Sequence, residues 1–278
     1  MSKGLEKRIL RMLDYIYANP AGDLSLDALA EVAAMSRFHW HRVYRATTGE
    51  TVAQTVRRMR MHRAAMALIH SETDLAGIAA MVGYPNVTSF SHTFRELYSV
   101  SPSAFRKRGD LRPFLPPLRN GETLMYDVII RTDPPRRLAA MPHEGAYLRI
   151  NLAFEKLGAT LGARGLTGRI GKMVGVYYED PSAKPENELR SHAGVEVGED
   201  FPIEAPLEEV RLPGGRTAVL TFTGPYAGLP AAYDQLYSIW LPDSGEEPAH
   251  SPAFEVYLNT PMDTPPHALK TEICLPLK

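Results

Sequence analysis

The run from Ala253 to Asn259, AFEVYLN, alternates in a way that sets one carboxylate among aromatic rings. Strand geometry sends successive side chains to opposite faces, so Phe254, Val256 and Leu258 share one face and are expected to pack under helices, while Glu255, Tyr257 and Asn259 share the other. A carboxylate in such a groove is costly to desolvate unless a cation or a hydrogen-bond donor meets it. Rings from Tyr147, Tyr177, Tyr226 and Trp240 are available to complete the site, since a ring quadrupole attracts a cation by ~0.5–2 kcal/mol. The chemistry expected is recognition of an amphipathic cationic or neutral aromatic compound. A salt bridge from Glu255 to an arginine on an exposed strand is the plainer alternative.

Other chemistries find little support in the sequence. It holds a single cysteine, Cys274, which cannot form an internal disulfide and reads as a small buried apolar residue in a strand. His39 and His41 are two residues apart and point to different sides of a helix, which disfavours a metal pair. A Ser-His-Asp set, a phosphate loop and a metal cluster are not found, so no metal or cofactor is expected.

The elements that must hold the site follow from composition and spacing. At 278 residues the chain suits two domains. Residues 1–120 hold 17 Lys+Arg against 10 Asp+Glu, and residues 121–278 hold 14 against 22, so a basic front half precedes an acidic rear half. The front half suits a polyanion; the rear half suits neither nucleic acid nor an anionic membrane. No apolar run is long enough to span a bilayer or serve as an export signal, and a reducing cytoplasm fits. Between Arg106 and Glu122, Pro113, Pro116 and Pro117 mark a linker, which divides the chain into domains 1–110 and 124–278 around residues 111–123.

Before the linker, apolar residues recur at helical spacing, as in Leu5, Ile9, Leu13 and Ile16. This half also repeats itself: Ala30 falls on Ala79, Trp40 on Phe90, Tyr44 on Phe94 and Arg45 on Arg95, giving two helix-turn-helix copies. Ser25 and Ser36 are placed to cap the helices of the first copy, and Asp74 and Asn86 those of the second, with Gly83 closing the turn between them. Residues 52–69 read as one helix, a spacer of roughly 27 Å, close to the ~34 Å that separates successive major grooves on one face of B-DNA. Trp40, Tyr44, Phe90 and Phe94 are expected in the helical core. Arg57, Arg58, Arg60 and Arg63 ring the spacer, as phosphate contacts or as solvated charges. After the linker a second repeat, at an offset of 79, sets Ala139 on Ala218, Tyr147 on Tyr226, Phe154 on Tyr233 and Leu157 on Leu236. The fold expected is an all-α domain followed by an α+β domain, in which a duplicated strand-helix unit builds an antiparallel sheet with helices on one face.

The segments LSLDALAEVAAMSRFHWHRVYRATTGE and LAGIAAMVGYPNVTSFSHTFRELYSVSPSAFR resemble the DNA-binding domain of the AraC/XylS family. The resemblance implies that Phe38, His41 and Arg42 of the first recognition helix, and Val87, Thr88, Ser91 and His92 of the second, face the groove. Arg can bond guanine bidentately, His or Ser can bond base edges, and Phe or Val can touch a thymine methyl. Arg37, Arg45, Arg95, Arg106 and Lys107 are then expected on phosphates. Tyr84-Pro85-Asn86 and His92 depart from the family pattern, which affects the target sequence and not the fold.

The rear half resembles the GyrI-like effector-binding domain, carried by HEGAY, GVYYEDP, FTGPYAGLPAAYDQLYSIWL and PAFEVYLNTPMDTPPHALKTEICLPL. Such domains commonly carry a central Glu in the segment that matches FEVYLN, which here is Glu255. Together the two resemblances imply a Rob-type transcription regulator with promoter DNA, a small effector and RNA polymerase as partners. Two further classes remain open. Some relatives of the rear domain are hydrolases of strained electrophilic rings, which would make Glu255 with Tyr147 a general base. The other class is a protein-binding module without a small ligand.

Overall fold

The computed structural model describes residues 3–35, 44–45, 47–107, 126–179, 181 and 184–278, and divides into two compact units. The first comprises residues 1–109 together with Phe154–Gly168, and the second residues 110–153 and 169–278.

The first unit is helical because its apolar residues recur every three to four positions and its helix starts carry capping side chains. Helix α1 (Lys3–Ala18) buries Ile9, Met12, Leu13 and Ile16 on one stripe. Ser25 caps α2 (Leu26–Val32) by accepting from the Ala28 amide at 3.3 Å. Helix α3 (Val52–His70) is the expected spacer, started by a capping box in which Thr51 and Gln54 satisfy each other's amides. Asp74 caps α4 (Leu75–Met81), and Asn86 caps α5 (Val87–Tyr98). The turn between α4 and α5 needs Gly83, whose φ is +74° and where a Cβ would come within 2.6 Å of the Pro20 carbonyl oxygen. Phe90 and Phe94 are fully buried; Phe94 stacks on Tyr98 and meets Phe105, on α6 (Pro102–Lys107), edge-on. Tyr44 is buried as expected, its hydroxyl 2.7 Å from Thr55 Oγ1. Trp40 lies outside the described residues. Helix α7 (Asn151–Arg164) completes this unit from residue 154 onward.

The spacer arginines all have partners within the fold, and Arg57 alone of the four stays exposed. Arg57 pairs with Glu96, Arg58 with Glu50 and Glu155, and Arg60 Nε donates to the Pro20 carbonyl at 2.8 Å while its guanidinium lies over the Tyr84 ring. Arg63 donates to the Tyr17 carbonyl at 3.1 Å. Arg106, expected on phosphate, instead donates to the carbonyls of Leu68 and Thr73. These cations fasten helix to helix: Arg57 and Arg58 meet carboxylates, while Arg60, Arg63 and Arg106 take carbonyls at helix ends and turns that would otherwise lack partners.

The second unit is an eight-stranded antiparallel sheet with strand order β1-β6-β8-β7-β3-β4-β2-β5. The strands are β1 (Val128–Asp133), β2 (Arg136–Glu144), β3 (Ile170–Tyr177), β4 (Arg190–Val197), β5 (Glu208–Leu212), β6 (Gly215–Thr223), β7 (Ala253–Tyr257) and β8 (Lys270–Pro276). Exchanging the first four strands with the last four maps this order onto itself, so the duplication read in the sequence is a two-fold pseudosymmetry with its axis between β3 and β7. The offset is 79 for β2 on β6 and becomes 80 for Tyr177 on Tyr257 and Arg190 on Lys270. The extra residue falls in an interval that contains α8 (Leu229–Asp234), a π-helical stretch at Gln235–Trp240, and α9 (Leu241–Ser244). A π turn holds one more residue than an α turn, and such turns concentrate at functional sites.

One sheet face carries Leu220, Phe222, Ile273 and Leu275 beneath Leu229, Ala232 and Leu236 of the α8 region. The opposite face buries Leu138, Val174, Val176, Leu212, Val219, Phe254, Val256 and Cys274. This corrects one expectation. Cross-strand partners share a face, and Glu255 is paired with Ile273, so the Glu255 set lies on the helix side while Phe254 and Val256 pack on the other. Leu258, beyond the end of β7, is 41% exposed rather than packed.

Candidate functional site

The register of the two central strands builds the site. Gly175 of β3 stands opposite Glu255 of β7, and under the 80-residue offset each is the other's equivalent, so this pair sits on the pseudo-two-fold axis. Tyr177 and Tyr257, also equivalents, lean in from either side. The Tyr257 hydroxyl donates to Glu255 Oε2 at 2.6 Å and the Tyr177 hydroxyl to the same oxygen at 3.1 Å, with the two hydroxyls 3.1 Å apart. A Cβ at position 175 would come within 2.9 Å of one hydroxyl and 3.0 Å of the other. Glycine is needed there because two phenols converge where its side chain would be.

A second pair of tyrosines backs the first. Tyr147 meets Tyr177 edge-on with centroids 4.9 Å apart, and its equivalent Tyr226 meets Tyr257 edge-on at 5.4 Å. Tyr147 is fastened: its hydroxyl donates to the Glu179 carbonyl at 2.9 Å and accepts from the Glu179 amide at 2.8 Å. Burial pushes the Tyr147 phenol up to about 12. Glu179 is in turn held by the Arg190 amide and guanidinium, as Asn259 in the other copy is held by the Lys270 amide.

Glu255 is only 3% exposed. Burial raises its carboxyl above the usual range, and hydrogen bonding from Tyr257 and Tyr177 works in the opposite direction. Among the described residues no cation acts on it. Tyr233 was missed in the sequence, where it was noted only as the repeat partner of Phe154; the hydroxyl it adds to that repeat position was the available signal. Trp240, expected at the site, packs against the cluster beneath α8, as Tyr226 also does. The structure therefore brings together Glu255, Tyr177, Tyr257, Tyr147 and Tyr226, and adds Tyr233 and Gly175.

In the first unit, α5 presents Thr88, His92 and Arg95 to solvent, with Val87 and Ser91 half-buried beside them, because Phe90, Phe94 and Tyr98 anchor the other side. Glu96 lies on the same helix, bonded to Arg57 and 3.5 Å from His92. Arg45 is exposed. Arg37, Phe38, His41 and Arg42 lie outside the described residues.

A helical unit with a capped recognition helix, joined to a duplicated sheet with a buried carboxylate on its internal axis, defines a two-part binding protein. Comparison with known families agrees: residues 126–278 match the GyrI-like small molecule binding domain and residues 29–108 a helix-turn-helix domain of AraC type. The chain belongs to the GyrI-like family and carries that helix-turn-helix domain ahead of it. It is 30% identical over 101 residues to the transcriptional regulator Rob of Salmonella typhimurium, covering 36% of this chain and 35% of Rob. It is 32% identical over 102 residues to an HTH-type transcriptional regulator of Haemophilus influenzae, covering 37% of this chain and 34% of that protein. The chain thus spans about a third of the length of these relatives. Among solved structures it is similar to the EcmrR C-terminal domain, with a TM-score of 0.46 and 16% identity over 56% of this chain and 99% of that one. No helix among the described residues is long and apolar enough to cross a membrane.

Proposed function

We propose that the chain is a DNA-binding transcription regulator, working in the cytoplasm with RNA polymerase as a further partner, whose Glu255 site takes a small aromatic cation or a neutral aromatic hydrogen-bond donor. The observation that carries the ligand assignment is the buried Glu255 carboxylate, which among the described residues has phenols for partners and no cation. A buried charge left in that state is costly, and a ligand that supplies a positive charge recovers the cost as affinity. The four rings of Tyr147, Tyr177, Tyr226 and Tyr257 are suited to enclose a flat organic group, while Trp240 borders the site from the cluster beneath α8. No feature of the site calls for turnover, so binding is the assignment and the chain is not assigned as an enzyme.

The names of the relatives support the regulatory part, as does the exposed polar face of α5. DNA contact is assigned to Arg37, Phe38, His41, Arg42 and Arg45 in the first copy and to Val87, Thr88, Ser91, His92 and Arg95 in the second, on duplex promoter DNA. Occupancy of the site alters DNA binding only if the ligand prefers one of two states of the protein.

Calorimetry with berberine, a flat aromatic monocation, and with its uncharged dihydro form tests the site. Glu255→Gln should weaken berberine by about tenfold or more and leave the uncharged form within about twofold. Equal binding of berberine by both proteins would remove the role given to Glu255. For the DNA part, affinity for the duplex upstream of the gene should fall steeply with added salt, and Arg95→Ala should reduce that slope by about one phosphate.

A further inference from the structure

Helix α7 lies inside the stretch that matches the small-molecule family, yet from residue 154 onward it is built into the first compact unit. Ala153, Leu157 and Leu161 form one buried stripe, and Ala159 and Ala163 form a second, so the helix has two apolar surfaces where a surface helix has one.

The charges of α7 reach the other helices of the first unit. Glu155 takes the Arg58 guanidinium on α3, Lys156 Nζ lies 2.6 Å from Asp14 on α1, and Arg164 forks onto Glu6 of α1 at 2.9 and 3.0 Å. Glu6 is 6% exposed, and the Arg58 and Glu155 side chains are each 17% exposed. At position 162 a Cβ would stand 1.9 Å from the Thr47 carbonyl oxygen, so the helix backbone itself lies against the chain that follows the first recognition segment, and only glycine allows it. Arg58 also holds Glu50, which accepts from Thr55, whose hydroxyl meets Tyr44. One polar chain thus runs from α7 through the spacer to the first helix-turn-helix copy.

We propose that residues 154–168 are a positioning brace of the DNA-reading unit, in which Glu155, Lys156, Gly162 and Arg164 fix α1 and the spacer helix and so set the separation of the two reading helices. The brace begins a few residues after Tyr147, the ring that backs Tyr177, and is continuous with it through the chain. It rests on the first unit being a DNA reader and is independent of the ligand assigned to Glu255.

The test uses the full chain, with the duplex upstream of the gene and a random duplex of equal length. Glu155→Gln makes the protein more positive, so an effect through charge alone would tighten both duplexes. The brace predicts the reverse for the specific one, a loss of about fivefold, with the random duplex within about twofold. Lys156→Asp should likewise lose specific affinity, and Lys156→Asp combined with Asp14→Lys should recover it. Hydrogen exchange of residues 3–18 and 52–70 supplies a readout without DNA: about tenfold faster in Lys156→Asp and restored in the double variant. Unchanged specific affinity in Glu155→Gln, equal losses on both duplexes, or unaltered exchange in residues 52–70 overturns the brace. A wild-type chain that does not prefer the upstream duplex defeats the DNA reading instead, and the exchange experiment then decides the brace alone.

Discussion

Arg58 and Glu255 are both buried charges, and the protein treats them in opposite ways. Burial pulls the Arg58 guanidinium down, yet the carboxylates of Glu155 and Glu50 outweigh burial and hold it firmly charged. Glu255 has phenols around it, and burial wins. The first charge is closed within the fold, while the second meets no cation among the described residues. A buried pair adds little net stability but is expensive to break, which suits a fixed part; an uncompensated carboxylate weakens the apo protein and suits a binding part.

Breaking the closed charge should have the largest effect. Arg58→Met leaves Glu50 and Glu155 facing each other with low exposure, and urea unfolding of the full chain should show a loss of about 3 kcal/mol or more. A loss below about 1 kcal/mol would mean that the two carboxylates find water, and the contrast with Glu255 would vanish. Next comes Gly175→Ala. The added methyl must displace one or both phenols, so a loss of about 1–3 kcal/mol from overpacking is expected, together with weaker berberine binding. Retained affinity would show that the phenols can part without consequence.

Glu255→Gln sharpens the comparison through pH. A carboxyl raised by folding binds its proton more tightly in the folded state, so the stability linked to its neutral form is full below the unfolded value near 4.5 and is lost as pH rises through the higher folded value. The Gln variant never carries the charge. Its melting temperature should match wild type near pH 4 and exceed it by about 3 °C at pH 8. A gap that stayed constant across this range would sink the claim that the carboxylate is uncompensated.

Much of this was legible in the sequence, and the parts that were not have definite causes. Ser25, Asp74 and Asn86 cap helices where expected because capping is local. The duplication was legible because Tyr147 and Tyr226 recur at a fixed offset; the shift to 80 was hidden because no motif marks a π turn. The face of Phe254 was misassigned for a different reason: alternation separates two faces without saying which one the helices cover. The spacer arginines were ambiguous because their partners Glu96, Glu155 and the carbonyls of Pro20 and Tyr17 are 39 to 97 residues distant. Folding, and not local spacing, determines whether such a cation is free.

The smallest effect on stability is expected at Glu96, and it separates fastening from reading. Its pair with Arg57 is exposed on both sides, 46% and 50%, so Glu96→Gln should change unfolding by less than about 0.5 kcal/mol. Its effect on DNA should be out of proportion to that. The carboxylate sits on the proposed reading helix, where it would repel phosphate, and it lies against both Arg57 and His92. Removing it frees a cation beside the proposed interface, so affinity for the upstream duplex should rise about two- to fivefold and the salt dependence should steepen by about one phosphate. If affinity and slope both stay at wild-type values, Arg57 lies away from the DNA and is a fastener like Arg58, Arg60 and Arg63; if both change while stability does not, it alone among the spacer arginines belongs to the reading surface.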